Sequence, residues 1–138
     1  MELIRCSEDD IAILAEYNSQ LIQDEQSGNM MSLDELQDRM QNFFKEGYQA
    51  YYIVEQDTKI GYLLVDITKQ PLFLRHFLIL SEHRRKGYGT KAFRLLCQLL
   101  QTDEMEIQVL TWNTPALSFF QKCGFKDKER YRKFVLAK

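Results

Sequence analysis

The stretch SEHRRKGYGTKAF, Ser81–Phe93, sets three cations in a row (Arg84, Arg85, Lys86) ahead of two glycines one residue apart, Gly87 and Gly89. An apolar helix pattern starts there, and the LFLRHFLIL before it reads as a buried strand. A helix N-terminus leaves its first amides without intrahelical acceptors and carries a partial positive charge. Glycines at that point let the chain turn and let a ligand approach the backbone. With cations added, the combination suits a phosphate or pyrophosphate; the alternative is a plain turn whose cations face water. Two nucleotide signatures are excluded. GYGTKA is not the Gly-x-x-x-x-Gly-Lys-Ser/Thr of a P-loop. Gly87, Gly89 and Ala92 satisfy Gly-x-Gly-x-x-Ala, but six residues, Ser81 to Lys86, separate the glycines from the strand. The next strand ends in Trp112-Asn113 rather than an acid, and a preceding hairpin breaks the βαβ order that a dinucleotide fold requires.

The elements that must position this turn follow from patterning. ELIRC reads as a first strand. Ser7 with Asp10 resembles a capping box and opens a helix with Ile11, Leu14, Ala15, Asn18 and Leu21 at helical spacing. QDEQSGNMM has no periodicity and reads as a loop. Ser32 with Glu35 opens a second helix, through Leu33, Leu36, Met40 and Phe43 or Phe44, which Gly47 stops. YQAYYIVEQ and KIGYLLVDI, separated by Asp57-Thr58, read as a hairpin. After Pro71 come the strand LFLRHFLIL, a helix from about Gly87 to Gln101, and the strand MEIQVLTW. Thr114 as cap and Pro115 at the first helical position start a short helix ending at Gly124, and ERYRKFVLAK alternates as a last strand. The order β-α-α-β-β-β-α-β-α-β mixes hairpins with crossover helices and predicts an α/β fold, a mixed sheet covered by helices.

The whole chain narrows the classes. At 138 residues it has room for one domain, residues 1–138. The first 60 residues hold 4 Lys/Arg against 13 Asp/Glu, a net charge of −9, while the remainder holds 14 against 7, a net +7. Two solvated surfaces would explain that split; so would a basic half holding an anion beside an acidic half facing a cation. No aromatic and basic stripe supports nucleic-acid binding. No apolar run reaches the roughly 18 residues of a membrane span. The N-terminus has no basic head or apolar stretch of a signal peptide, and a cytoplasmic location is expected. The three cysteines, Cys6, Cys97 and Cys123, are far apart and lack CxxC spacing, which predicts neither a disulfide framework nor a metal site.

ILSEHRRKGYGTKAFRLL resembles the acetyl-CoA motif of the GNAT superfamily of N-acetyltransferases, Arg/Gln-x-x-Gly-x-Gly/Ala, met at Arg84, Gly87 and Gly89. A strand ending in Asn113 followed by ALSFFQKCGF is similar to a second family element, Asn…Ala…Tyr-x-Lys-x-Gly-Phe. The separation of the two and the element order match as well, so the resemblance covers most of the chain. It implies the GNAT fold of bacterial type, with a mainly antiparallel sheet and helices on both faces. It further implies transfer of acetyl from acetyl-CoA to a primary amine, directly within a ternary complex and without a metal. Amides around Arg85, Lys86, Gly87, Tyr88, Gly89 and Thr90 would hold the CoA pyrophosphate. Backbone of Phe77, Leu78 and Ile79 would pair with the pantetheine arm, one amide polarising the thioester carbonyl. Asn113 would touch the cofactor or serve only as a helix cap.

Acetyl transfer needs a base for the amine and, in many relatives, a tyrosine acid for the leaving thiolate. Phe120 stands at that tyrosine's position and has no proton to give. Tyr131 could substitute, or be a surface tyrosine. His76 titrates in the right range for a base, or is a satisfied core histidine. Cys123 reads as a small core residue rather than a nucleophile. The loop between the first two helices usually borders the acceptor site in this family; here it carries Asp24, Glu25 and Asn29, which suit a small cationic amine or form a solvated face. The resemblance leaves room for a homodimer. A CoA-binding module without catalysis is the rival reading.

Overall fold

The computed structural model describes residues 1–127 and 134–137, without the side chains of 127 and 134–137. Its elements are β1 (Glu2–Arg5), α1 (Ile11–Glu25), α2 (Leu33–Lys45), β2 (Tyr48–Glu55), β3 (Thr58–Asp66), β4 (Leu72–Ile79), α3 (Tyr88–Leu99), β5 (Met105–Val109), α4 (Thr114–Lys122), β6 (Lys126–Asp127) and β7 (Phe134–Ala137). The expected order is recovered, with β6 added. The last strand, read from ERYRKFVLAK, is described only as β7. Both capping boxes form: Ser7 and Asp10 brace a 3-10 turn that runs into α1, and Ser32 and Glu35 exchange backbone and side-chain bonds at the start of α2. The hairpin loop is Gln56-Asp57, one residue earlier than expected. Both have positive φ, 48° and 63°, as a tight turn between twisted strands requires. Helix α4 likewise starts one residue early, because the Asn113 side chain takes the cap and accepts from the Ala116 amide at 3.4 Å.

Among the described residues the sheet order is β1-β2-β3-β4-β5-β7-β6. All neighbours run antiparallel except β4 and β5, which are parallel. That pairing is brief, Leu72 with Met105 and Phe73 with Glu106, although β4 continues to Ile79 and β5 to Val109. Beyond Phe73 the two strands therefore part, and the β4 edge facing β5 has no strand partner among the described residues. The β3–β4 register explains where this happens. Leu64 pairs with His76 and Val65 with Leu74, so Arg75 is the extra residue of a bulge. A bulge bends its strand and increases the local twist, here at the point of parting.

Helices cover both faces. α1 and α2 bury Leu14, Leu21, Met40 and Phe43 against Tyr52, Tyr62, Leu64 and Leu78. On the other face α3 buries Phe93 and Leu96, and α4 Phe120, with Leu63, Leu74 and Ile107. Strand alternation past the bulge sends His76 and Leu78 toward the α1–α2 side, whereas Phe77 and Ile79 pack on the α3–α4 side.

Candidate active site

Where β4 and β5 part, a cleft of about 620 Å³ opens, lined by Leu74 to Ile79 without His76 on one side and by Ile107, Gln108 and Val109 on the other. The turn from Arg84 to Thr90, Lys86 excepted, forms one end of it. Chain geometry there is unusual. Arg85 has φ 64° and Gly87 φ 76°, and α3 begins on Gly87 with no side-chain cap, unlike α2 and α4. Within the described residues the amides of Arg85, Lys86, Gly87, Tyr88, Gly89 and Thr90 find no acceptor; the first bonded amides on either side are Arg84 to Ser81 O and Lys91 to Gly87 O. Six successive free N–H groups beside a helix N-terminus form an anion cradle. A Cβ on Gly87 would meet nothing within 4 Å, whereas one on Gly89 would lie 3.0 Å from the Phe119 ring. Gly89 thus lets α3 pack on α4, and a larger residue there would strain that contact as well as any ligand.

The end of α1 is tied to both lips of this cleft. Arg84 makes an ion pair with Asp24 and donates from Nε to the Ile79 carbonyl at 2.7 Å. Trp112, past the end of β5, donates from Nε1 to the Glu25 carbonyl at 3.1 Å. α1 stops at Glu25 because Gln26 adopts a left-handed conformation, φ 49°. Asp24 is therefore engaged by Arg84. Both side chains still line the larger cleft, but each borders it as half of an ion pair.

A second cavity, of about 210 Å³, lies on the α1–α2 side and is lined by Asn18, Glu25, Asn29, Arg39, Arg75, His76 and neighbours. Glu25, Arg75, Gln108 and Val109 line both cavities. The two spaces therefore adjoin across these residues, and Glu25 is the one carboxylate among the described residues that borders both. Burial, and secondarily the charge of Asp24, pushes the Glu25 carboxyl above its usual range. A carboxylate so raised is a stronger base than one in water.

The surroundings of His76 do not suit the base expected there. It is buried, lines only the smaller cavity, and shares a 3.0 Å hydrogen bond between Nδ1 and the Tyr62 hydroxyl. Burial, aided by the charges of Arg39 and Arg75, takes it from 6.5 down to about 3, so it stays neutral and accepts a proton poorly. A depressed histidine gives stability that is complete above its unfolded value and is lost as pH falls from 6.5 toward 3. His76→Gln should therefore flatten the fall in unfolding free energy between pH 7.5 and 5.5, at most about 1.4 kcal/mol per pH unit per proton, and leave any pH–rate profile near neutrality unchanged. Denaturant titrations and initial rates across that range check both; a lost kinetic ionisation would restore His76 as base.

The other expected positions divide as follows. Phe77, Leu78, Ile79, Arg85, Gly87, Tyr88, Gly89, Thr90, Asn113 and Phe120 all line the larger cleft; Lys86 does not. Phe120 packs against Phe77, Phe119 and Phe125. Tyr131 lies outside the described residues. Neither cavity is lined by Cys6, Cys97 or Cys123, and burial pushes the Cys6 thiol up to about 12. Arg39, Arg75, Asn18 and Gln108 were not anticipated as site residues. Asn18 and Arg75 were nevertheless visible as polar residues inside apolar patterns. Among the described residues, no helix is long and apolar enough to cross a membrane.

The acetyltransferase (GNAT) family model matches residues 11–125. Among solved structures, an acetyltransferase from Thermus thermophilus superposes with a TM-score of 0.80 at 18% identity, covering 99% of this chain and 95% of that one. The PaiA N-acetyltransferase from Thermoplasma acidophilum, in complex with coenzyme A, gives 0.76 at 17%, covering 99% and 97%. An aminoglycoside acetyltransferase in complex with coenzyme A gives 0.78 at 20%, covering 99% and 92%. At these identities the likeness is one of fold.

Proposed function

Since the chain belongs to the acetyltransferase (GNAT) family, we propose that it moves the acetyl group of acetyl-CoA to the primary amine of a small molecule, which arrives protonated. The observation that carries this reading is the run of six unpaired amides from Arg85 to Thr90, set at the end of a cleft that opens beside an unpaired strand edge. The amides take the pyrophosphate, and Arg85 adds charge. The pantetheine arm follows the β4 edge along Phe77–Ile79, where a backbone amide polarises the thioester carbonyl. The coenzyme A bound by two of the similar structures is in keeping with this placement.

Transfer is direct, because no cysteine lines either cavity to take the acetyl group first. Glu25 accepts one proton from the ammonium and passes it to solvent. The freed nitrogen attacks the thioester carbonyl carbon; the C–N bond forms and the C–S bond breaks. The attacking nitrogen's second proton goes to the departing thiolate, giving an amide and free CoA. Phe120 offers no acid at the thiolate, but a thiol of pKa about 8.5 leaves without one.

A CoA-binding module without transfer is the second reading, and the missing hydroxyl at Phe120 favours it. Thiol release from acetyl-CoA on mixing with a broad amine panel separates the two. The binding half is tested by calorimetry. Arg85→Asn keeps a residue that tolerates positive φ and removes the charge; it should weaken CoA about tenfold, or about 1.4 kcal/mol, with the melting temperature unchanged. Unaltered affinity would displace the cofactor from this turn.

A further inference from the structure

Asn18 interrupts the apolar stripe of α1 between Leu14 and Leu21, and it is 1% exposed. Its Oδ1 has no hydrogen-bond partner among the described residues, although Asn18 belongs to the lining of the smaller cavity. A buried acceptor without a donor is destabilising, so this one is suited to a donor brought by a ligand.

The same cavity holds two half-buried guanidiniums. Arg39 and Arg75 each stand 5.2 Å from the centroid of the Phe43 ring. Arg75 is also held by the Tyr48 hydroxyl, to which its Nε donates at 2.9 Å; among the described residues Arg39 donates only to the Met31 sulfur, at 3.9 Å. Neither has an ion-pair partner among the described residues. Their mutual repulsion is felt: burial and then the Arg75 charge draw Arg39 below its ordinary value. Glu25, the one acid among the described residues in this lining, is shifted upward by burial and by Asp24. Two cations fixed by aromatic packing, partly desolvated and lacking a counter-ion, are preorganised for a planar anion.

Cations at Arg39 and Arg75 and acceptors at Asn18 and Glu25 thus line one small space that shares Glu25 and Arg75 with the cofactor cleft. The geometry points to a zwitterionic acceptor, an amino acid whose carboxylate is held by Arg39 and Arg75 while its amine meets Asn18 and Glu25. This inference rests on the reading of amine acetylation above and names its substrate class. It also sets the chain apart from acetyltransferases of polycations, since further positive charge on the acceptor would confront both arginines. A different source of carboxylate is the acyl group itself, because Arg75 and Gln108 line both cavities.

The test pairs free amino acids with their carboxamides and with diamines of similar length, using acetyl-CoA, and runs succinyl-CoA with the carboxamides as a further arm. The free acids should exceed their carboxamides in kcat/KM by at least about 30-fold. Arg39→Gln should collapse that ratio toward one by raising KM for the acid, and Arg39→Lys should restore part of it. Melting curves of both variants confirm folding. Equal rates for acids and carboxamides, faster diamines, or a preference for succinyl-CoA that Arg39→Gln abolishes would each overturn the proposal. A readout independent of turnover is calorimetric binding of N-acetylglycine and of N-acetylglycinamide to the CoA-loaded protein. Binding of the acid alone, lost in Arg39→Gln, supports the site even if no amine is acetylated, in which case the transfer reading fails by itself. If N-acetylglycine does not bind, the carboxylate site is wrong, whatever the panel shows.

Discussion

Glu25→Gln should lower kcat for acetyl transfer by about 100-fold or more, the range for loss of a positioned general base. The substitution keeps the side-chain shape and removes only the capacity to accept a proton. Among the described residues Glu25 is the one carboxylate that borders both cavities, whereas Asp24 lines only the larger and is paired with Arg84. Burial raises its pKa, so in the wild type the rate should climb with pH through a value above the ordinary 4.5 as Glu25 loses its proton. That acid limb should vanish in the variant. Stability supplies a second sign. A raised carboxyl gives stability that is present below its unfolded value and lost as pH rises through its folded one. Near neutrality the Glu25 charge therefore burdens the fold, and Glu25→Gln should melt no lower than the wild type. Loss of rate without loss of stability is the pattern expected of a catalytic carboxylate. A variant that keeps both kcat and the acid limb would leave the proton to water or to the acceptor's own ionisation.

The parts of this site that were legible in the sequence are those encoded by short-range chemistry. Gly87, Gly89 and the cations before them mark a helix start without a side-chain cap, and the structure leaves the amides there unpaired. Ser32 and Glu35 mark a helix start three residues apart, and they close on each other. What the sequence hid depends on alternation and on long-range pairing. His76 has the right chemistry for a base, but the bulge at Arg75 and the alternation after it turn the ring into a wall of Phe43 and Tyr62. Burial there removes its basicity. Asp24 and Glu25 are adjacent and chemically alike, yet a partner 60 residues away engages the first, and a backbone contact 87 residues away anchors the second. No local pattern distinguishes them. Arg39 and Arg75 are far apart in sequence and reach the same Phe43 ring only after α2 is laid on the sheet.

Gly61→Ala should be among the most damaging single changes in the chain, costing about 3 kcal/mol or more and roughly 10 °C in melting temperature. Gly61 sits in β3 opposite Ile79 of β4 and Ile53 of β2. A Cβ there would lie 1.9 Å from the Leu78 carbonyl oxygen and 2.9 Å from its carbon. Both obstacles are backbone, held by the β3–β4 ladder and by the bond from the Leu80 amide to the Ile60 carbonyl at 2.8 Å, so no side-chain rotation relieves the overlap. Relief must come from β4 moving away, and the segment that moves is Phe77–Ile79, the strand edge assigned to the pantetheine arm. Stability and cofactor affinity should therefore fall together, with CoA weakened more than about tenfold even at temperatures where the variant stays folded. Gly28→Ala is the control. Its φ of 77° disfavours alanine, yet a Cβ meets nothing within 4 Å, so the cost should be about 1–2 kcal/mol with CoA affinity unchanged. Thermal melts and calorimetry on both variants decide the matter. A Gly61→Ala protein that melts and binds CoA like the wild type would mean that β3 and β4 do not approach as closely as described, and the strand edge would lose its place in the site.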